Sequence, residues 1–245
     1  MIVVSASMKK AGSGWYFNLT NDLLVAAGHA DARAIREQFG LHKALQGGNC
    51  QVNKSHPLQT ARVFLPHLLG HTFAVKTHGR PLRAVRQLMA LGVMRATYIY
   101  RDPRDVVLSV LDHGRDLRER GQHAADLSAL HSVEDAARYV RYLLGIWEAW
   151  DACPGVLTVR YEDLVADPSR QLQRLASFLR LRVAADDLAA IVERYDAGAQ
   201  SGAVRRNLHY NKGVTRRFER AMDRGDRARC DAAFAPYLAR MGYAA

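Results

Sequence analysis

Four strand-length runs of buried-type residues, each feeding a helical pattern, leave this chain few folds to adopt. Ile2-Val-Val-Ser5, Thr72-Phe-Ala-Val-Lys76, Ala96-Thr-Tyr-Ile-Tyr100 and Val156-Leu-Thr-Val-Arg160 are short and rich in β-branched and aromatic residues. A helical pattern runs from Trp15 to Ala27 and stops at Gly28. Pro81 opens another, with Leu82, Val85, Leu88 and Met89 at helical spacing and Gly92 at its end. Asp102 and Pro103 read as the cap and first residue of a helix through Ser109. Ser132 with Asp135 forms a capping-box start to a helix through Trp150, and Asp167-Pro168 caps the next. From Ala184 the chain reads as mostly helical, apart from a polar stretch around Ser201 to Val214. Strands alternating with helices predict an α/β fold, a parallel sheet covered by helices on both faces. With no repeat, low-complexity tract or linker, residues 1–245 are expected to form one domain.

At 49% hydrophobic and 24% charged residues, the composition is that of a globular enzyme and excludes a disordered or fibrous chain. Lys and Arg exceed Asp and Glu by 35 to 24, a formal charge of +11. Such an excess steers anions: nucleic acid, an acidic membrane surface or a polyphosphorylated nucleotide all satisfy it. Cys50, Cys153 and Cys230 are odd in number and far apart, which predicts reduced thiols. The opening apolar run precedes its lysines, the reverse of a signal peptide, and no apolar stretch reaches the roughly 18 residues of a membrane span. A cytoplasmic location with no transmembrane segment is the expectation. His67 and His71 have helical ligand spacing but no third ligand, so no metal is expected.

Three segments gather chemistry at predicted strand ends, where open parallel sheets bind ligands. Lys10-Ala-Gly-Ser-Gly-Trp15 supplies glycines for close backbone approach to an anion, a hydroxyl from Ser13, a helix N-terminus and a mobile cation. No Gly-Lys-Ser/Thr follows, so it is not a nucleoside-triphosphate loop of the Walker type. In Arg101-Asp-Pro-Arg-Asp-Val-Val-Leu-Ser109, Arg101 and Ser109 either converge on a phosphate or Arg101 pairs with Asp105. Lys76-Thr-His78 places a cation and an imidazole at the end of another strand.

In their order and context these segments resemble the sulfotransferases that use 3′-phosphoadenosine-5′-phosphosulfate (PAPS). Lys10 to Trp15 is similar to that family's 5′-phosphosulfate loop, Lys-Ser-Gly-Thr-Thr-Trp, and Arg101 to Ser109 to its 3′-phosphate motif. Lys76-Thr-His78 resembles the segment holding its catalytic base. Arg160-Tyr-Glu-Asp-Leu164 with Asp167-Pro168, and Asn211-Lys-Gly213 with Phe218, resemble its later motifs. The resemblance implies a P-loop-like three-layer sandwich and transfer of a sulfuryl group from PAPS, leaving 3′,5′-diphosphoadenosine (PAP), without a metal. It implies that Lys10, Gly12, Ser13 and Gly14 hold the 5′-phosphosulfate and that Trp15 and Tyr161 contact adenine, core packing being the alternative for both rings. It assigns the 3′-phosphate to Arg101, Ser109, Lys212 and Gly213. His78 would take the acceptor's proton, while Lys10 and Lys76 stabilise developing charge.

The departures are Lys9 for a proline, Gly14 for a threonine, Asn211 for an arginine and Gly79 for a leucine. The expected acceptor is a hydroxyl or amine on a small molecule, lipid or carbohydrate, met by the poorly patterned stretches Leu41 to His56 and Asp112 to His131. No nucleic-acid partner is expected, and no dimerisation motif is evident. Two alternatives stay open: a P-loop-like small-molecule kinase, and a nucleic-acid-binding protein using Arg216, Arg217, Arg224, Arg227 and Arg229.

Overall fold

A computed structural model describes residues 1–52, 60–123, 126–195 and 214–244. Six strands form one sheet: β1 (Ile2–Ser7), β2 (Leu45–Gln46), β3 (Gln51–Val52), β4 (Phe73–Thr77), β5 (Met94–Tyr100) and β6 (Leu157–Arg160), in the order β2-β3-β4-β1-β5-β6. All neighbours are parallel except β2 and β3, which form an antiparallel edge. The central parallel sheet expected from the sequence is present, and this short antiparallel edge adds to it. Two strands of two residues each carry too little periodicity to be seen in the sequence.

The central strands are buried along most of their length: Ile2, Val3, Ala6, Phe73, Ala74, Ala96, Tyr98 and Ile99 have no exposed surface. This is why they read as continuous apolar runs rather than alternating ones. Helices cover both faces: α1 (Ser13–Ala26), α2 (Ala32–Gln38), α3 (Phe64–Leu68), α4 (Arg83–Ala90), α5 (Pro103–Glu119), α6 (Val133–Asp151), α7 (Tyr161–Ala166), α8 (Pro168–Leu179), α9 (Ala185–Arg194), α10 (Phe218–Ala221) and α11 (Arg224–Leu238). A 3₁₀ turn, Asp126–Ala129, precedes α6.

The capping signals hold. Asp102 accepts from Arg104 N, Asp167 from Arg170 N, and Ser132 with Asp135 makes a complete capping box. Two boundaries differ from the sequence reading. Helix α4 starts at Arg83, with Leu82 as its extended cap, so Pro81 lies outside it. Helix α5 runs well past Ser109 to Glu119, because Leu117 packs on the core and Gly114 lets Leu127 O approach its backbone. A Cβ at Gly114 would sit 2.3 Å from that oxygen. Part of the poorly patterned stretch from Asp112 is therefore helix.

Candidate active site

Sheet register decides which residues meet at the carboxyl ends of the strands. Ala6 of β1 pairs with Thr77 of β4, so Ser7 and His78 emerge side by side. Tyr100 of β5 pairs with Arg160 of β6, so Arg101 and Tyr161 emerge side by side. The loop after β1 lies between these pairs, tied down by a bond from Met8 N to Ile99 O of 2.9 Å.

That loop is held in an unusual conformation. Lys10 has φ 68° and Gly12 φ 73°, both left-handed. For a lysine this conformation costs on the order of 1 kcal/mol and persists only when the surroundings impose it. Gly12 must be glycine for a second reason, since a Cβ there would lie 2.7 Å from Cε2 of the Tyr161 ring. Helix α1 begins at the next residue and directs its first N–H groups to the loop. Trp15 meets Tyr161 edge to face at 6.3 Å, its indole nitrogen buried without a partner.

Arg101 is 9% exposed and lies over the Tyr161 ring, 4.6 Å from its centroid. One terminal nitrogen donates to Asp105 Oδ2 at 3.0 Å and to Val214 O at 2.7 Å. Both sequence alternatives for Arg101 therefore stay compatible: it does pair with Asp105, yet its Nε is buried and unpartnered. Asp105, Ser109 and Asp112 share one face of α5 at i, i+4 and i+7. Asp105 accepts from Phe218 N at 2.9 Å and Asp112 from Arg217 at 2.6 Å, so residues 214 to 218 are fastened along that face. Ser109 is buried beside these anchors. Lys212 and Gly213, with Asn211, lie outside the described residues.

Lysines supply the remaining charge. Burial holds Lys10 below the usual lysine range and the Arg101 guanidinium pushes the same way, while Asp112 and Asp116 oppose them. Lys76 is 6% exposed and, among the described residues, has no carboxylate partner; burial brings its pKa down to about 8. His78 Nδ1 lies 3.0 Å from both the carbonyl oxygen and the hydroxyl of Ser7. A carbonyl only accepts, so Nδ1 carries the proton and Nε2 keeps its lone pair. Burial and the Lys76 cation push the His78 pKa down to about 3, further lowered by Lys9 and opposed by Ser7. The ordinary imidazole value near 6.5 does not hold here, first because the ring is buried and then because cations stand beside it. Trp150 fixes the following turn by donating to Gly79 O at 2.8 Å.

Ser7 and Trp150 are site residues that sequence reasoning missed. Their partners lie 71 positions away in the chain, and only the strand register reveals them. Among the described residues no cluster of His, Cys, Asp and Glu could hold a metal ion, and no helix is long and apolar enough to cross a membrane.

The fold recurs in solved sulfotransferase structures. A mouse sulfotransferase complexed with PAP superposes with a TM-score of 0.62 at 15% identity, covering 97% of this chain and 84% of that one. Retinol dehydratase in complex with androsterone and PAP gives 0.58 at 17% identity, covering 97% and 80%. The flavonol 4′-sulfotransferase of Flaveria chlorifolia is 31% identical over 100 residues, 38% of this chain and 31% of its own length. The luciferin sulfotransferase of Photinus pyralis is 26% identical over 198 residues, 72% of this chain and 50% of its own. The chain thus spans a third to a half of these curated relatives. A family model for the sulfotransferase domain matches residues 3–239, and the chain belongs to that family.

Proposed function

We propose that the protein transfers a sulfuryl group from PAPS to a hydroxyl or amine of a small-molecule, lipid or carbohydrate acceptor. The observation that carries this reading is the meeting, at one end of the sheet, of Lys10, Lys76, Arg101 and a His78 whose Nε2 is free of its proton. Three cations around an open helix N-terminus suit a donor with several negative charges. The described residues fit it in one further respect: Arg101 has a buried Nε with no partner.

In this reading Arg101 and Ser109, with Lys212 and Gly213 from the segment that ends at Val214, hold the 3′-phosphate. Lys10, Gly12, Ser13 and Gly14 hold the 5′-phosphosulfate, and Trp15 and Tyr161 flank the adenine. The acceptor's proton passes to Nε2 of His78 as its oxygen or nitrogen bonds to sulfur. The bond from sulfur to the bridging oxygen breaks, and its electron pair remains on the 5′-phosphate, where Lys10 meets it. Lys76 neutralises charge on the transferred group. An imidazole depressed to about 3 is a poor base while those cations stand alone. The negative charge of the bound donor offsets them and raises the basicity of His78, so donor and base act as one unit.

The direct test is mass spectrometry of an acceptor library incubated with PAPS. A sulfuryl mass gain that disappears without PAPS supports the reading, and no transfer to phenols, alcohols, amines or sugars contradicts it.

A further inference from the structure

A cavity of about 440 Å³ opens at the opposite end of the sheet, beside the first residues of β5. Its wall includes Arg86 and Met89 of α4, Met94 and Arg95 of β5, Cys153 after α6, and Phe178 of α8. The length of β5, about 20 Å at strand rise, separates it from Arg101, so it is no part of the donor site. Its size falls in the range of roughly 300–1,000 Å³ typical of small-ligand sites.

Its floor is apolar, and its charged groups are all of one sign. Met89, Met94 and Phe178 provide an adaptable surface of thioethers and an aromatic ring. Arg95 is fixed in place: Nη1 donates to Phe178 O, and the guanidinium lies 5.7 Å from the Phe178 ring centroid. Among the described residues, neither Arg86, Arg95 nor Arg180 has a carboxylate within ion-pair distance. Burial, and then the Arg180 cation, hold Arg95 below the usual arginine range. Like charges beside a partly dewatered apolar floor repel one another, and an anion between them removes that repulsion. Guanidinium groups match the planar fork of a carboxylate and the oxygens of a sulfate.

We propose that this cavity is a second ligand site for an amphiphilic anion. Its carboxylate or sulfate head would lie on Arg95 and Arg86, and its alkyl or aryl body on Met89, Met94 and Phe178. The site is independent of the transfer reaction.

The test is calorimetric titration of octanoate, octyl sulfate and 1-octanol into the protein in excess PAP, which covers the donor site. The expected result is binding of both anions at least tenfold tighter than the alcohol. Arg95→Gln is expected to erase that preference, and Ala152→Trp, which fills the cavity from its wall, to remove binding of all three. Thermal unfolding of both variants establishes that they are folded. Wild-type protein that binds none of the three or shows no preference for the anions overturns the proposal. Anion binding that survives both substitutions overturns it equally.

Discussion

Nδ1 of His78 is held 3.0 Å from the carbonyl oxygen of Ser7, a residue at the end of the neighbouring strand. The bond uses the ring's only proton, so the other nitrogen faces the site as a lone pair. Strand register produces this pairing, since Ala6 and Thr77 are partners and Ser7 and His78 follow them. A general base typically contributes about 10²–10⁴-fold in rate. His78→Ala is therefore expected to lower turnover by that order and to leave PAP affinity nearly unchanged. Turnover near wild type, or loss of PAP binding along with activity, refutes the base assignment.

The basicity of His78 is expected to depend on the donor site. In the free protein burial and Lys76 depress it to about 3; a bound polyanion reverses the cationic contribution. Nuclear magnetic resonance titration of the His78 ring should show a higher pKa with PAP bound than without. By linkage, PAP then binds more tightly as pH falls through that interval. An unchanged His78 pKa in the complex contradicts the coupling.

Lys76 presents the opposite balance of stability and function. Its pKa falls from 10.5 to about 8, equivalent to an upper bound of about 3 kcal/mol for burying the cation. Because the folded value is the lower one, this cost is fully present below about pH 8 and vanishes as pH rises to 10.5. Lys76→Met should accordingly raise the unfolding free energy at pH 7, by up to that amount, while slowing transfer. Denaturant unfolding at pH 7 and pH 10 checks both the sign and the window. A variant less stable than wild type at pH 7 contradicts it.

Gly12→Ala tests the loop. The new Cβ would face the Tyr161 ring at 2.7 Å from a backbone with φ 73°. Overpacking of this kind costs about 1–3 kcal/mol, and the left-handed conformation adds to it. Thermal unfolding should show the loss, and PAP should bind more weakly because Tyr161 must move. A variant with wild-type stability and PAP affinity would mean that the ring yields freely.

How much of this the sequence disclosed depends on distance along the chain. The four longer strands, the caps at Asp102, Ser132 and Asp167, and the loop from Lys10 to Trp15 are local patterns, and each could be read from a few consecutive residues. The stack of Gly12, Tyr161 and Arg101 could not, because it joins three segments through the order of strands in the sheet. The depressed pKa of His78 was hidden too: Lys76 stands two residues away in the sequence, but burial, the larger cause, arises only when the strands pack. Strands β2 and β3 were too short to leave a periodic signature.

The central claim is that the end of the sheet bearing Arg101 binds a nucleotide through its 3′-phosphate. Charge-assisted bonds to phosphate contribute about 1.5–3 kcal/mol each, so losing even one is worth roughly tenfold in affinity. Calorimetry of PAP against 5′-AMP, with wild-type protein and Arg101→Ala, measures this directly. The account predicts that PAP binds at least tenfold more tightly than 5′-AMP and that Arg101→Ala removes most of the difference. Equal affinity of the wild-type protein for the two nucleotides would contradict it.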